Sequence, residues 1–211
     1  MRARKKKWAA GEFSISENLI REPERNKGAW SAYFGNANPL HVELGCGKGR
    51  FLTESAASNP SVNYIGVERE SQVAITGMRH ARELGLRNIS FILADAETLP
   101  ELFAACEIKR LYIQFCDPWP NRKKWAKRRL THERYLDIYR PLLDGRIMFK
   151  TDNKELFEFT LTQFESRGWT VENVSYDLYK DGIADTSALM TEYEEKFYLS
   201  GQPIMRCEAY K

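Results

Sequence analysis

Short runs rich in β-branched, aromatic and other apolar residues recur from Leu40 onward. They lie at 40–44 (L-H-V-E-L), 62–67 (V-N-Y-I-G-V), 89–93 (I-S-F-I-L), 111–115 (L-Y-I-Q-F) and 146–150 (R-I-M-F-K), with two more at 169–176 and 203–209. Their lengths are those of strands. Helical spacing fills several of the gaps. One pattern runs over 71–84, from Ser71 to Gly85, and a second over 131–140, from Thr131. A third covers 153–167, starts at Asn153, sets Leu156, Phe157, Leu161 and Phe164 on one side, and stops at Gly168. Ser, Thr and Asn cap helix starts, and glycine supplies the left-handed residue past the last turn. The alternation predicts an α/β fold: a doubly wound, mostly parallel seven-stranded sheet, closed by an antiparallel hairpin at its C-terminal edge.

Residues 1–38 break this regularity with Pro23, Gly28 and Gly35 and read as a basic N-terminal arm leading into one domain over 39–211. At 211 residues, 43% hydrophobic and 29% charged, the chain can bury a substantial core and is not disordered in composition. No run approaches eighteen apolar residues, which speaks against a membrane span, and W-A-A-G-E stands at 8–12 where a signal peptide would need its apolar stretch. Cys46, Cys106, Cys116 and Cys207 form no C-x-x-C pair, and His41, His80 and His132 no ligand pattern. The expectation is a cytoplasmic, reduced protein without a metal.

Charge changes the picture once it is located. Residues 2–7 carry five cations and 122–129 six, with no acid in either run. Without these eleven cations the net charge of +3 becomes −8. An acidic body with two concentrated basic segments suits a polyanionic partner.

The first strand runs into Gly45-Cys46-Gly47-Lys48-Gly49. Glycines there permit a tight turn and close approach of a ligand to the backbone. The spacing is neither G-x-G-x-x-G nor a Walker loop, which disfavours a dinucleotide or a nucleoside triphosphate. Three acids fall at strand ends: Glu43, Glu68 (23 residues after Gly45) and Asp95. Carboxyl ends of strands form the ligand crevice of a doubly wound sheet. Carboxylates there would repel a pyrophosphate and attract a cation, and the nucleoside that carries a sulfonium and no phosphate is S-adenosylmethionine. Gly45, Gly47, Glu43, Glu68 and Asp95 are therefore the candidate cofactor contacts.

The fourth strand ends in Asp117-Pro118-Trp119-Pro120, directly before the second basic run. An acid, prolines and an aromatic at this position are similar to the motif with which amino-methyltransferases hold a base. With V-E-L-G-C-G-K-G at 42–49, K-R-R-L at 127–130, K-T-D-N at 150–153 and T-E-Y-E at 191–194, the chain resembles, from Trp8 onward, the bacterial tRNA (guanine-N7-)-methyltransferase family. The resemblance implies a Rossmann-like class I S-adenosylmethionine-dependent methyltransferase acting on N7 of a guanine in the variable loop of tRNA. It implies cofactor contacts at Glu43, Glu68, Asp95 and Asp117, with Asp117 as the active-site residue. It also implies substrate contacts at position 121, Asp152, Thr191, Glu192, Tyr193 and Glu194, and RNA contacts along Arg122, Lys123, Lys124, Trp125, Lys127, Arg128 and Arg129. Relatives often carry Lys where this chain has Asn121, so either Arg122 or Lys123 supplies that charge or a phosphate contact is lost.

Chemistry agrees with this reading. Guanine offers N1–H and an N2 amine, which carboxylates such as Glu192, Glu194 and Asp152 can accept, and adenine would leave them unpaired. T-E-Y-E also reads as a capping box opening a helix, and the two roles are compatible. Trp125 either stacks on an unpaired base or anchors its own loop. The alternatives are an amino-methyltransferase acting on an exocyclic nitrogen, or a catalytically silent RNA-binding protein of the same fold; a nicotinamide dehydrogenase is opposed by the glycine spacing. An apolar face on the final strands is compatible with a homodimer.

Overall fold

The computed structural model describes residues 9–120, 122–182 and 189–211, so the basic run at 2–7 and Asn121 lie outside the described residues. In chain order the elements are α1 (Ala9–Ile15), β1 (Leu19–Ile20), α2 (Trp30–Phe34), β2 (Leu40–Leu44), α3 (Arg50–Ser58), β3 (Asn63–Glu68) and α4 (Ser71–Glu83). They continue with β4 (Ile89–Leu93), α5 (Leu99–Leu102), β5 (Ile108–Gln114), α6 (Lys123–Ala126), α7 (Glu133–Leu142) and β6 (Leu143–Thr151). The last are α8 (Lys154–Ser166), β7 (Thr170–Ser175), α9 (Glu192–Leu199) and β8 (Met205–Tyr210).

The strands form one sheet in the order β1-β4-β3-β2-β5-β6-β8-β7. All pairings from β1 to β6 are parallel, and β8 runs antiparallel between β6 and β7. The seven expected strands are present, and an eighth, β1, pairs Leu19 with Phe91 and Ile20 with Ile92. Two residues in a polar segment give no periodicity to detect. The segment before β2 also places Trp30 in the core at 2% exposure, its indole N–H donating to the Leu102 carbonyl at 3.1 Å.

Alternation along the strands divides the core between the two faces. Val42, Leu44, Ile65, Val67 and Ile92 face α5, α7 and α8, while Tyr64, Ile89 and Phe91 face α3 and α4. The third predicted helix starts as expected, with Asn153 accepting the Leu156 N–H at 2.8 Å. The second starts later: Thr131 is fully buried and its hydroxyl meets that of Thr160 at 2.7 Å, leaving His132 to cap α7. Ser71 is likewise the first helical residue of α4, with Glu70 at the cap position.

Strands β5 and β6 begin earlier than their apolar patterns because a register irregularity between Ile108 and Arg110 joins them through polar residues. Gly145 makes this possible: a Cβ there would lie 1.9 Å from the Lys109 carbonyl oxygen. Gly145→Ala should therefore lower stability by about 3 kcal/mol through overpacking against rigid backbone. Urea denaturation tests this, and an unchanged midpoint would contradict it.

Candidate active site

The site forms where β2, β3, β4 and β5 end. Beyond Glu43 the chain turns through Gly45, Gly47 and Gly49, each at positive φ (67°, 57° and 72°), and enters α3. The loop is fixed by the Gly45 N–H donating to the Val67 carbonyl at 2.8 Å and by Gly47 N–H donating to Glu68 Oε2 at 3.0 Å. Glu68 Oε1 accepts the Glu70 N–H at 2.9 Å. This carboxylate thus holds the glycine loop, an interaction the sequence pattern did not announce. Behind the loop, Gly77 of α4 lets the Lys48 carbonyl approach so closely that a Cβ would be 2.9 Å from it.

Glu43 is 3% exposed. Its Oε1 accepts from Gln114 Nε2 at 3.3 Å, and its Oε2 is buried with no partner among the described residues. Burial, the larger effect, raises its pKa from 4.5 to about 8; the Gln114 hydrogen bond opposes this and the nearby Glu68 charge adds to it. Glu43 and Gln114 line a cavity of about 130 Å³ together with the glycine loop, Phe115 and residues Thr191 to Tyr193. That is below the roughly 300–1,000 Å³ of small-molecule pockets. A buried acid with an oxygen that has no partner among the described residues, beneath a glycine turn, fits a group bearing an ammonium or sulfonium, as the expected methyl donor does.

The other expected cofactor acids lie outside this lining. Asp95 accepts the Glu97 N–H at 3.2 Å and pairs with Arg69 at 3.7 Å, at the end of β4. Asp117 is exposed, two residues past Phe115, which itself adopts a positive φ of 49°. Gln114 was not singled out in the sequence. A polar residue ending an apolar strand three positions before D-P-W-P is the signal that marks it.

The T-E-Y-E motif opens α9 above the cavity, with Thr191 Oγ1 accepting the Glu194 N–H at 2.9 Å, as a capping box predicts. The acids in the first turn of α9, Glu192, Glu194 and Glu195, are matched by cations from distant elements. Glu192 pairs with Lys48 at 2.6 Å, Glu195 with Arg50, and Glu194 with Lys150 at 2.8 Å. Glu194 is 1% exposed, also accepts the Tyr179 hydroxyl at 2.9 Å, and keeps its Oε2 buried with no partner among the described residues. Glu194 is thus an anchor of α9 and not the free carboxylate expected for a base edge. Tyr193, 60% exposed, stacks on Phe115 with ring centroids 6.4 Å apart. Asp152, at the end of β6, accepts from Gln202 Nε2 at 3.4 Å.

The second basic run divides. Arg122, Lys124, Lys127 and Arg128 are exposed, and Lys123 falls in α6. Trp125 stacks on Trp119 at 5.4 Å and 9° between planes, and the Arg128 guanidinium lies 4.8 Å from each ring. Trp125 therefore packs on its own loop here. Arg129, expected among the RNA-facing cations, is instead 1% exposed, with its Nε donating to the carbonyls of Pro118 and Trp119 at 3.0 and 2.9 Å. Among the described residues no cluster of His, Cys, Asp and Glu could hold a metal ion, and no helix is long and apolar enough to cross a membrane.

Comparison with known proteins places this geometry. A family model described as "Putative methyltransferase" matches residues 37–207. The chain is 42% identical over 215 residues to a tRNA (guanine-N(7)-)-methyltransferase of Clostridioides difficile, covering 100% of this chain and 99% of that protein. It is 44% identical over 212 residues to the protein of the same name from Streptococcus suis, covering 99% of each. Among solved structures, an antibiotic-related methyltransferase superposes with a TM-score of 0.61 at 16% identity, covering 86% of this chain and 91% of that one. A 16S rRNA methyltransferase gives 0.60 at 13% identity, with the same coverage. These two are alike in fold.

Glu43 generates a prediction about protons. Because its folded pKa of about 8 exceeds the ordinary 4.5, the folded chain holds a proton that the unfolded chain has lost between these values. Its contribution to stability is thus fully present below about 4.5 and lost as pH rises through about 8. A cation seated on Glu43 reverses the preference, so binding the methyl donor at pH 7 should release close to one proton. Calorimetry in two buffers of different ionisation enthalpy measures this. Glu43→Gln should abolish the release and weaken binding, and a buffer-independent heat in the unsubstituted protein would contradict the assignment.

Proposed function

The chain belongs to the tRNA (guanine-N7-)-methyltransferase family, and from that premise we propose that it transfers a methyl group from S-adenosylmethionine to N7 of a guanine in tRNA, in the variable loop. One structural observation carries the reading beyond the family. The glycine turn, Glu43 (one buried oxygen of which has no partner among the described residues) and the first turn of α9 line one cavity at the carboxyl ends of the central strands. A cationic nucleoside is recognised from one side of such a cavity and a base can be presented from the other.

The donor supplies an electrophilic methyl group on a sulfonium sulfur. N7 of guanine has an in-plane lone pair and no proton, so the residues of this chain need not remove one. Their work is binding and alignment, which lowers the barrier by prepaid entropy and by fixed dipoles in place of water. In this reading Glu43 balances the cation, with Glu68 and the glycine loop shaping the seat. Asp117, on the loop following β5, acts as an orienting acceptor at the reacting end. Glu192 and Asp152 accept from the guanine edge, with Lys48 exchanging its partner when the base arrives. The exposed cations Arg122, Lys124, Lys127 and Arg128 neutralise RNA phosphates.

Incubation with labelled S-adenosylmethionine and unmodified tRNA should place label on a guanine and make that position alkali-labile. Label that is stable to alkali would favour methylation of an exocyclic amine, and no label at all would favour a silent RNA-binding protein. Asp117→Asn should lower kcat severely without adding or removing an ionisation in the pH–rate profile. A carboxylate titration present in the unsubstituted enzyme and lost in this variant would contradict the orienting role. Neutralising Lys124, Lys127 and Arg128 together should raise KM for tRNA and reduce the log–log salt slope by about 3, with donor affinity unchanged. An unaltered salt slope would remove these residues from the RNA surface.

A further inference from the structure

Two adjacent arginines in the second basic run have opposite surroundings. Arg128 is exposed and lies against the Trp119 and Trp125 rings. Arg129 is among the largest fully buried side chains. Its Nε donates to both the Pro118 and Trp119 carbonyls, one terminal nitrogen donates to Glu155 Oε1 at 2.8 Å, and the guanidinium carbon lies 4.5 Å from the Phe159 ring centroid. Glu155 and Phe159 both belong to α8, so the side chain ties the 117–120 loop to a rigid helix packed on the sheet.

The loop needs such a tie. Pro118 and Pro120 have no N–H, so the segment carrying Asp117 and Trp119 cannot stitch itself to neighbours through a regular backbone ladder. A guanidinium satisfies adjacent carbonyls and a carboxylate at once because its donors are set in a fixed fork, and hydrogen bonds from a charged donor are the stronger kind. A lysine keeps the charge and loses the fork.

We propose that Arg129 is a positioning residue that holds the Asp117–Pro120 loop in its reactive geometry, and that it does not contact RNA. The proposal rests on the methyltransfer reading for its kinetic consequence, but the brace itself does not. Misplacing a reacting group by about 1 Å costs on the order of 100-fold in rate. Arg129→Lys should therefore lower kcat by about that factor, with KM for tRNA and the salt slope within about twofold of the unsubstituted enzyme. Arg128→Gln should do the reverse in binding, raising KM and making the salt slope shallower by about 1.

A second readout needs no reaction. The emission of Trp119, taken as the difference between each protein and its Trp119→Phe counterpart, should be quenched by acrylamide markedly more in Arg129→Lys than in the unsubstituted protein. If Arg129→Lys does not fold, Glu155→Ala, which removes one anchor and leaves both carbonyl bonds, should show the same kcat loss and quenching change in milder form. Unchanged kcat and quenching in the folded variant would overturn the proposal. So would a raised KM with a flattened salt slope at retained kcat, the signature of an RNA contact. An unsubstituted protein that methylates no tRNA would defeat the functional reading alone, and quenching would still decide the brace.

Discussion

A carboxyl group held almost fully out of water, with one oxygen that has no partner among the described residues, is the constraint around which this site is organised. Glu43 ends the central strand β2, and Gln114, on neighbouring β5, satisfies one of its oxygens. Leaving a carboxylate so buried is unfavourable, and the group responds by keeping its proton to about pH 8. In the proposed function, a positively charged ligand completes the site in which this acid lies under a glycine turn. The turn is held open by Glu68 and by the room at Gly77, neither of which needs to touch the ligand to matter.

The second organising feature is the acidic first turn of α9. Three carboxylates there meet three cations from the glycine loop, α3 and β6, more than 40 residues away in each case. Exposed pairs such as Lys48–Glu192 contribute little stability individually. Lys150–Glu194, with side-chain exposures of 18% and 2%, is more deeply placed. Acids at a helix N-terminus are also favoured by the helix dipole. Together these contacts orient the first turn of α9 over the glycine loop and bring residues from distant parts of the chain to one cavity.

Sequence periodicity revealed the strands because each buries a continuous or alternating apolar run, and caps such as Asn153 and Thr191 marked their helices. It failed where tertiary packing takes over. Thr131 is drawn into the core by Thr160, β1 is two residues long, and the start of β6 depends on Gly145 fitting under the Lys109 carbonyl. The site was legible in residue types and only partly in roles. Glu43 lines the cavity, whereas Glu68, Asp95 and Asp117 lie outside its lining. A run of six cations reads as one electrostatic feature, and nothing in the run distinguishes the exposed Arg128 from the buried Arg129. That distinction comes from the carbonyls of Pro118 and Trp119 and from α8, which are brought together only by folding.

The claim that Glu43 waits for a cation is tested most directly by following its carboxyl carbon by NMR through a pH titration, with and without S-adenosylmethionine. An apparent pKa of about 8 is expected in the free protein, and a fall to below about 6 when the donor is bound. A carboxyl that titrates at an ordinary value in the free protein, or one whose titration the donor leaves in place, would contradict it.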